Sequence, residues 1–171
     1  MINQLFLFWA IFNLFIGFWE IYAFTNRDKL LLSSESIWDK IKNGSTTFNT
    51  FWIDAWSEYS KVDSRYIKTY SPLQYVWFFE LFNSILAILF LYFLITKKIS
   101  YLKLILLISI FNCAFYYLTL IYEIYSNKTI FENLQKYASV WNLIIYYLIC
   151  SIWLIIPIIL YTFLNNAFNK K

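Results

Sequence analysis

Four long apolar stretches constrain the fold of this 171-residue chain more than any other feature. They cover about residues 5–24, 73–96, 104–122 and 140–164. A helix needs about 20 mostly apolar residues to cross the roughly 30 Å hydrocarbon core of a bilayer. The composition agrees, since 61% of the residues are hydrophobic and 14% are charged, against about 45–50% and 25% in soluble domains. The sequence therefore predicts one all-α domain over residues 1–171, a polytopic membrane protein built as a bundle of four transmembrane helices.

The composition also excludes several kinds of site. The chain has no histidine, which excludes a Ser-His-Asp or Cys-His catalytic site and a histidine-ligated zinc. Two cysteines and two glycines are too few for a disulfide framework, a four-cysteine metal site or a glycine-rich phosphate loop. The net charge of +4 is small and is not gathered into a nucleic-acid-binding stripe. We therefore expect no metal, no cofactor and no nucleic acid partner.

Three connections join the four stretches. Residues 25–72 form a long loop of mixed charge, residues 97–103 form a short turn with three lysines and no acid, and residues 123–139 form a polar loop. Short basic loops favour the cytosolic side of a membrane, so we expect this turn and both termini in the cytosol. Glycosylation sequons begin at Asn43 and Asn127, in the two loops that this orientation places in the lumen.

Each apolar stretch carries a stripe of small or polar residues at helical spacing. Small and hydroxyl residues allow close helix packing in membranes, which explains most of the serine, alanine and cysteine positions. The stripes consist of Asn13, Gly17 and Glu20; of Glu80, Asn83, Ser84 and Ala87; of Ser109, Asn112, Cys113, Tyr116 and Thr119; and of Tyr146 or Tyr147, Cys150, Ser151, Trp153 and Pro157.

Glu20 and Glu80 are the only acidic or basic residues within the four predicted spans. Ionisable groups inside a membrane are costly and mark functional sites by default. Both lie at a similar depth below the same face, so we expect them to share one chamber. There one carboxyl group can donate a proton while the other stabilises a cation, with aromatic rings adding cation–π attraction. Such a chamber suits the movement of a lipid C=C bond through a carbocation, and equally suits passive binding of a sterol or an amphiphilic amine.

A charged segment before the second span carries a more specific pattern. Residues 56–66 read WSEYSKVDSRY, which resembles the signature W-x-E-Y-x-K-x-D-S-R-Y of the emopamil-binding protein family. This family comprises sterol Δ8–Δ7 isomerases and their relatives, and it shares the EXPERA domain with sigma-2-receptor-type proteins. Residues 110–119 and 153–157 resemble the third helix and the W-x-x-x-P close of that domain. Glu20 and Glu80 are similar to glutamates of its first and second helices.

The resemblance implies an endoplasmic-reticulum membrane protein with four EXPERA-like helices around a sterol-sized cavity and no cofactor. Glu20 and Glu80 would be the catalytic carboxylates of a sterol isomerase. The partners implied are a sterol or another lipid and hydrophobic amines, and a homodimer stays open. The substrate-binding residues would be Trp153, Tyr116, Thr119, Asn112, Cys150 and Tyr146. The signature contributes Glu58, Tyr59, Lys61, Asp63, Arg65 and Tyr66, of which the four charged residues would brace the lumenal mouth.

The sequence also departs from the family at named positions. Ile16 stands where the family has a first-helix histidine, and Cys150 stands where its isomerases carry an asparagine. The third helix often has acids near Cys113 and Leu120, and neither residue is acidic here. These departures keep a second function open. The alternative is a non-catalytic sterol- or lipid-binding protein of the sigma-2-receptor type, acting in sterol homeostasis or trafficking.

Overall fold

The structure, a computed structural model, describes residues 2–67 and 76–168. This part of the chain forms helices and turns and contains no strand. Four helices are long and apolar enough to cross a membrane, namely α1, α4, α5 and α7, which confirms the predicted all-α bundle with four spans. The helices are α1 (Ile2–Thr25), α2 (Ile37–Lys42), α3 (Phe48–Tyr59), α4 (Val76–Ile95), α5 (Ile99–Ser126), α6 (Lys128–Tyr137) and α7 (Val140–Phe168).

Two spans run further than their apolar stretches. α5 begins at Ile99 and ends at Ser126, and α7 continues to Phe168. A helix can continue past its apolar stretch because its backbone stays internally hydrogen-bonded while polar side chains reach water. The basic turn is therefore shorter than predicted and covers residues 96–98. Lys103 lies on α5, where its ammonium group donates to Asn165 Oδ1 at 3.2 Å. Residues 73–75 of the predicted second span lie outside the described residues.

The two long connections are folded rather than plain loops. Ser36 and Thr47 each begin a helix, α2 and α3 respectively, through reciprocal capping boxes that satisfy free backbone N–H groups. Asn127 caps α6 in the same way, accepting hydrogen bonds from the next residues. A short 3₁₀ turn at Ser64–Tyr66 contacts both α4 and α6. Both connections therefore lie at one end of the bundle, which we call the loop end.

The spans pack in the order α1, α4, α5 and α7, and α7 returns to α1 with fewer contacts. Away from the loop end, an apolar core of rings and leucines fills the bundle, built from Phe6, Trp9, Phe90, Leu106 and Leu160 among others. Large apolar side chains such as Phe18, Phe78 and Phe111 lie exposed on the outer faces. A hydrocarbon environment requires such an apolar outer surface, together with helices whose backbone groups are hydrogen-bonded internally.

The polar stripes bind the helices to one another. Gly17 on α1 lies directly against Ser84 on α4, whose hydroxyl donates to the backbone carbonyl of Asn13 at 2.9 Å. Between α4 and α5, Ser109 donates to Asn83 Oδ1 at 3.0 Å, and the Asn83 amide reaches the Cys113 thiol at 3.3 Å. Lipid offers no hydrophobic drive for helix association, so close packing and interhelical hydrogen bonds must supply it.

We expect Gly17→Ala to destabilise the bundle, because the added Cβ overlaps the side chain of Ser84. Overpacking of this kind costs about 1–3 kcal/mol. Ser84→Gly alone should cost about 1–2 kcal/mol, because it lowers helix propensity and removes the hydrogen bond to the carbonyl of Asn13. The double variant should lose less stability than the two single variants do together, because the overlapping atoms are gone. Thermal unfolding in detergent measures all three, and strictly additive losses would contradict a direct contact.

Candidate functional site at a buried glutamate pair

Glu20 of α1 and Glu80 of α4 meet in the interior of the bundle. Their exposed fractions are 0% and 2%, and the two carboxyl groups are close neighbours. Among the residues that the structure describes, no other donor reaches either oxygen of Glu20 or the Oε2 atom of Glu80. Two ionised carboxylates in such contact repel each other, so the arrangement suits a pair that holds one proton between its members.

A chain of hydroxyl groups leads from this pair towards the loop end. The Tyr66 hydroxyl donates to Glu80 Oε1 at 2.6 Å and lies 3.2 Å from the Tyr116 hydroxyl. Tyr116 donates to Asp63 Oδ2 at 2.8 Å, and its oxygen also lies 3.1 Å from the Tyr146 hydroxyl. The chain draws together α4, α5, α7 and the 3₁₀ turn, so residues that are far apart in sequence form one polar centre.

An ion pair anchors the outer end of that chain. Arg65 donates from Nε and Nη2 to the two oxygens of Asp63, each at 2.8 Å, and its Nη1 donates to the Thr119 hydroxyl at 3.0 Å. Both charged side chains are fully buried. Burial lowers the pKa of Arg65, but the adjacent Asp63 carboxylate outweighs it and holds that pKa above its ordinary value. The Arg65 guanidinium therefore stays charged across the physiological range.

Aromatic rings surround the polar centre at the loop end. Trp56 stacks on Tyr59 and on Trp77, with ring centroids 5.2 and 5.5 Å apart, and Tyr66 meets Trp77 edge-on at 4.8 Å. Burial raises the pKa of Tyr59 and, together with the charge of Glu80, that of Tyr66. Both phenols therefore stay protonated and available as donors, and the Tyr59 hydroxyl lies 3.5 Å from the Cys150 sulfur.

A narrow cleft lies beside Glu80, between α4, α5 and α7, and it is too tight to admit a water molecule. Asn112 borders it, and the side-chain amide of Asn112 donates to the backbone carbonyl of Phe79 at 2.8 Å. The indole N–H of Trp153 also borders it and meets no acceptor among the described residues. The cleft is lined by Phe79, Glu80, Asn83, Asn112, Cys113, Tyr116, Tyr117 and Trp153.

A larger cavity of about 540 Å³ lies at the loop end, lined by residues of α1, α2, α3 and α7. Tyr59 and Tyr146 form part of its wall, and they contact Tyr66 and Tyr116 respectively. Aromatic side chains therefore connect the wall of this cavity to the residues that bond Glu80. It is lined by Trp19, Ser36, Ile37, Trp38, Ala55, Glu58, Tyr59, Ser139, Trp141, Asn142, Ile145, Tyr146 and Ile149.

The structure brings most of the residues singled out from the sequence into one place. Direct hydrogen bonds connect Glu80, Tyr66, Tyr116, Asp63, Arg65, Thr119 and Tyr146. Of the two tyrosines left open on α7, Tyr146 points inward and Tyr147 is 63% exposed on the outer face. Both cysteines are buried and free.

The four charged signature residues lie in two different places. Glu58 and Lys61 pair at 2.9 Å beside the larger cavity, and Glu58 also accepts from Asn142 on α7 at 2.6 Å. Asp63 and Arg65 instead lie in the core, deeper than bracing residues at a mouth. Burial is tolerated because the bidentate pair and its hydroxyl partners satisfy both charges.

Sequence reasoning missed most of the wall of the larger cavity. Trp19, Trp38 and Trp141 line it but were not selected, because aromatic residues make up 24% of this chain and few of them stand out. The available signal was position. Trp19 directly precedes Glu20, and Trp141 opens the fourth span, where the bundle meets the loop end.

Comparisons of the chain with protein-family models, curated proteins and solved structures find no match. Within the described ranges, no three His, Cys, Asp or Glu side chains cluster in a way that would hold a metal ion. The groups of the site that can do chemistry are its carboxyl pair, its tyrosines and its ion pair.

We expect Arg65→Met to destabilise the protein by about 3–5 kcal/mol, because it leaves the Asp63 carboxylate buried without its partner. Asp63→Asn combined with Arg65→Met should recover much of this loss, since no unpaired charge remains. Lys40→Met removes one member of a partly exposed pair with Asp54 and should cost at most about 1 kcal/mol. Thermal unfolding in detergent distinguishes these cases, and equal losses for Arg65 and Lys40 would contradict the assignment.

Proposed function

We propose that the protein is a membrane isomerase that moves a carbon–carbon double bond within a sterol or a sterol-like lipid through a carbocation. The observation that carries the proposal is the contact between two buried carboxyl groups, Glu20 and Glu80, inside a four-helix membrane bundle. The resemblance of residues 56–66 to the emopamil-binding protein signature supports the same reaction. Three residues of that segment, Asp63, Arg65 and Tyr66, lie at the carboxyl pair or connect to it.

The reaction needs one proton donor and one proton acceptor. The protonated carboxyl group gives its proton to one alkene carbon, where a C–H bond forms and the neighbouring carbon becomes cationic. The other carboxylate then removes a proton from the carbon on the far side of the cation, and that C–H electron pair forms the new double bond. The proton returns between the two carboxyl groups across their contact. The cycle consumes no proton, cofactor or oxidant.

The surroundings suit a cationic intermediate in an apolar substrate. Carboxylates attract the cation, and the faces of Tyr116 and of Trp153, which lie beside Glu80, can add cation–π stabilisation. An apolar setting strengthens these interactions because it excludes the screening of water. The resemblance to the family isomerases implies that carboxylates and aromatic rings stabilise the cation here as well.

The substrate needs space that the narrow cleft does not have. The larger cavity of about 540 Å³ falls within the usual 300–1,000 Å³ of small-molecule sites. We propose that the lipid first occupies this cavity, and that Tyr59 and Tyr146 turn aside to admit it to the glutamates. These two residues separate the cavity from Tyr66 and Tyr116, so their side chains form the barrier.

A non-catalytic sterol-binding protein is the second candidate. The observation that favours it is the position of Ile16, where the family has its first-helix histidine. Ile16 is buried against Cys113 and Trp153, so an apolar contact occupies the place of a proton-handling group. A binding protein also needs the cavity and the anchored carboxylates but no proton transfer.

For the cellular setting, we propose the endoplasmic reticulum with cytosolic termini. The turn at residues 96–98 carries Lys97 and Lys98, which favours the cytosolic side. Asn43 is exposed at the opposite, loop end, where a lumenal sequon would be glycosylated. An unmodified Asn43 together with a glycosylated tag fused after the C-terminus would reverse this orientation.

Expression in a yeast strain that lacks its sterol isomerase tests the reaction. We expect the wild-type chain to convert the accumulated Δ8 sterol, and Glu80→Gln or Glu20→Gln to lower conversion by at least 100-fold, in line with general acid–base catalysis. Asp54→Asn is the matched control, because this acid lies outside the spans and pairs with Lys40. A well-expressed wild-type chain that leaves the sterol unconverted would refute the isomerase and leave the binding protein.

Binding of a hydrophobic tertiary amine separates the role of the carboxylates from activity. Such an amine imitates the cation, so we expect affinity to fall about tenfold or more in the Glu20→Gln, Glu80→Gln double variant, from the loss of a buried charge-assisted contact. Displacement of a radiolabelled amine from purified protein in detergent measures this. Unchanged affinity would show that neither carboxylate meets the ligand.

A further inference from the structure

We infer that Tyr66 decides which glutamate of the buried pair carries the charge, so that at rest the proton lies on Glu20 and Glu80 is ionised. This inference deepens the proposed isomerase, because it names Tyr66 as a positioning residue and Glu20 as the acid that acts first. It stands on the hydrogen-bond geometry of the pair.

The two carboxyl groups differ in what they receive. Glu80 accepts a short hydrogen bond of 2.6 Å from Tyr66, whereas Glu20, outside its contact with Glu80, receives none from the described residues. A hydrogen bond from a neutral donor to a charged acceptor favours the charged form. The measured worth of such bonds corresponds to a roughly 10- to 100-fold preference, which places the charge on Glu80.

The groups around Tyr66 leave its hydrogen available to the pair. The Tyr116 hydroxyl has one hydrogen and donates it to Asp63 at 2.8 Å, so it cannot also donate to Tyr66. Asp63 stays an acceptor because Arg65 holds it with two hydrogen bonds. The hydrogen of Tyr66 is therefore free to point at Glu80, and the 3.2 Å contact between the two tyrosines needs none.

The other charged groups around Glu80 do not overturn this preference. Asp63 and Arg65, from the segment that packs over α4, form a bidentate pair whose charges oppose each other. From α5, Tyr116 and Cys113 are neutral neighbours, and from α7 the nearest polar group is the Tyr146 hydroxyl, which meets Tyr116. Glu20 is the titratable neighbour from α1. The donor of Tyr66 is thus the main difference between the two carboxyl groups.

The consequence for catalysis is a fixed order of events. Glu20 gives up its proton to the alkene, and Glu80, already ionised, removes the second proton. When Glu80 becomes protonated, its O–H donates to Tyr66 and the Tyr66 hydrogen turns to the oxygen of Tyr116. Return of the proton to Glu20 restores the first arrangement. The direction of the Tyr66 hydrogen thus follows the protonation state of Glu80, while Tyr66 itself stays neutral.

Infrared spectroscopy of purified protein in detergent at neutral pH tests this without any sterol. The readout is the C=O stretching band of a protonated carboxyl group, identified by its shift in heavy water. We expect the band in the wild type and in Glu80→Gln, and its loss in Glu20→Gln. In Glu20→Gln combined with Tyr66→Phe the band should return, because Glu80 without its donor binds the proton.

Tyr117→Phe combined with Glu20→Gln is the matched control. The hydroxyl of Tyr117 lies in the same core near Cys150 and makes no hydrogen bond to either glutamate, so its loss should not restore the band. If Glu20→Gln does not fold, Glu20→Met, of similar length and apolar, gives the same readout.

Two results would overturn the inference. One is loss of the band in Glu80→Gln with retention in Glu20→Gln, and the other is an unchanged spectrum when Tyr66→Phe is added to Glu20→Gln. Both are independent of the yeast experiment. A failed sterol conversion with the expected spectra would refute the isomerase while leaving the proton on Glu20.

Discussion

The ion pair between Asp63 and Arg65 is the interaction on which the polar centre depends. It brings two full charges into the bundle from a connecting segment, and the membrane helices are built to receive them, with Thr119 bonding the guanidinium and Tyr116 bonding the carboxylate. Removing two charges from water is expensive unless the geometry is good and the remaining donors and acceptors are met. Here each guanidinium nitrogen of Arg65 donates to an oxygen. The connection therefore completes the bundle at its loop end instead of merely covering it.

The helices around this centre are held by a second set of polar contacts. Ser84 reaches from α4 to α1, and the contacts of Asn83, Ser109 and Cys113 join α4 to α5. In a membrane these contacts do what an apolar core does in water, because lipid tails are as apolar as the side chains they replace. α1 and α7 pack less closely against each other, and the larger cavity is lined by both of them at the loop end. Tight packing on three sides thus leaves space on the fourth.

The sequence predicts the parts of this arrangement that follow from helix length and helix spacing. The four spans, the inward stripes and the shared depth of Glu20 and Glu80 all follow from counting residues along an ideal helix. It could not choose between Tyr146 and Tyr147, because a one-residue rotation of an apolar helix leaves the pattern almost unchanged. Nor could it place Arg65 in the core. A charged loop segment reads as solvent-exposed until its partners on other helices are known, and those partners lie more than fifty residues away in sequence.

The site can control a proton without histidine. A histidine beside a glutamate would settle protonation through its own charge. Ile16 offers no such control, and the chain instead surrounds a pair of like groups with unequal hydrogen bonds. One donor, Tyr66, is enough to make two glutamates different, provided that its hydrogen is not needed elsewhere. Tyr116 does not need it, because Tyr116 donates its own hydrogen to Asp63, and Arg65 holds Asp63 as an acceptor. The protonation of the membrane-buried pair is thus set from the loop end, through neutral hydroxyl groups that carry orientation and no charge.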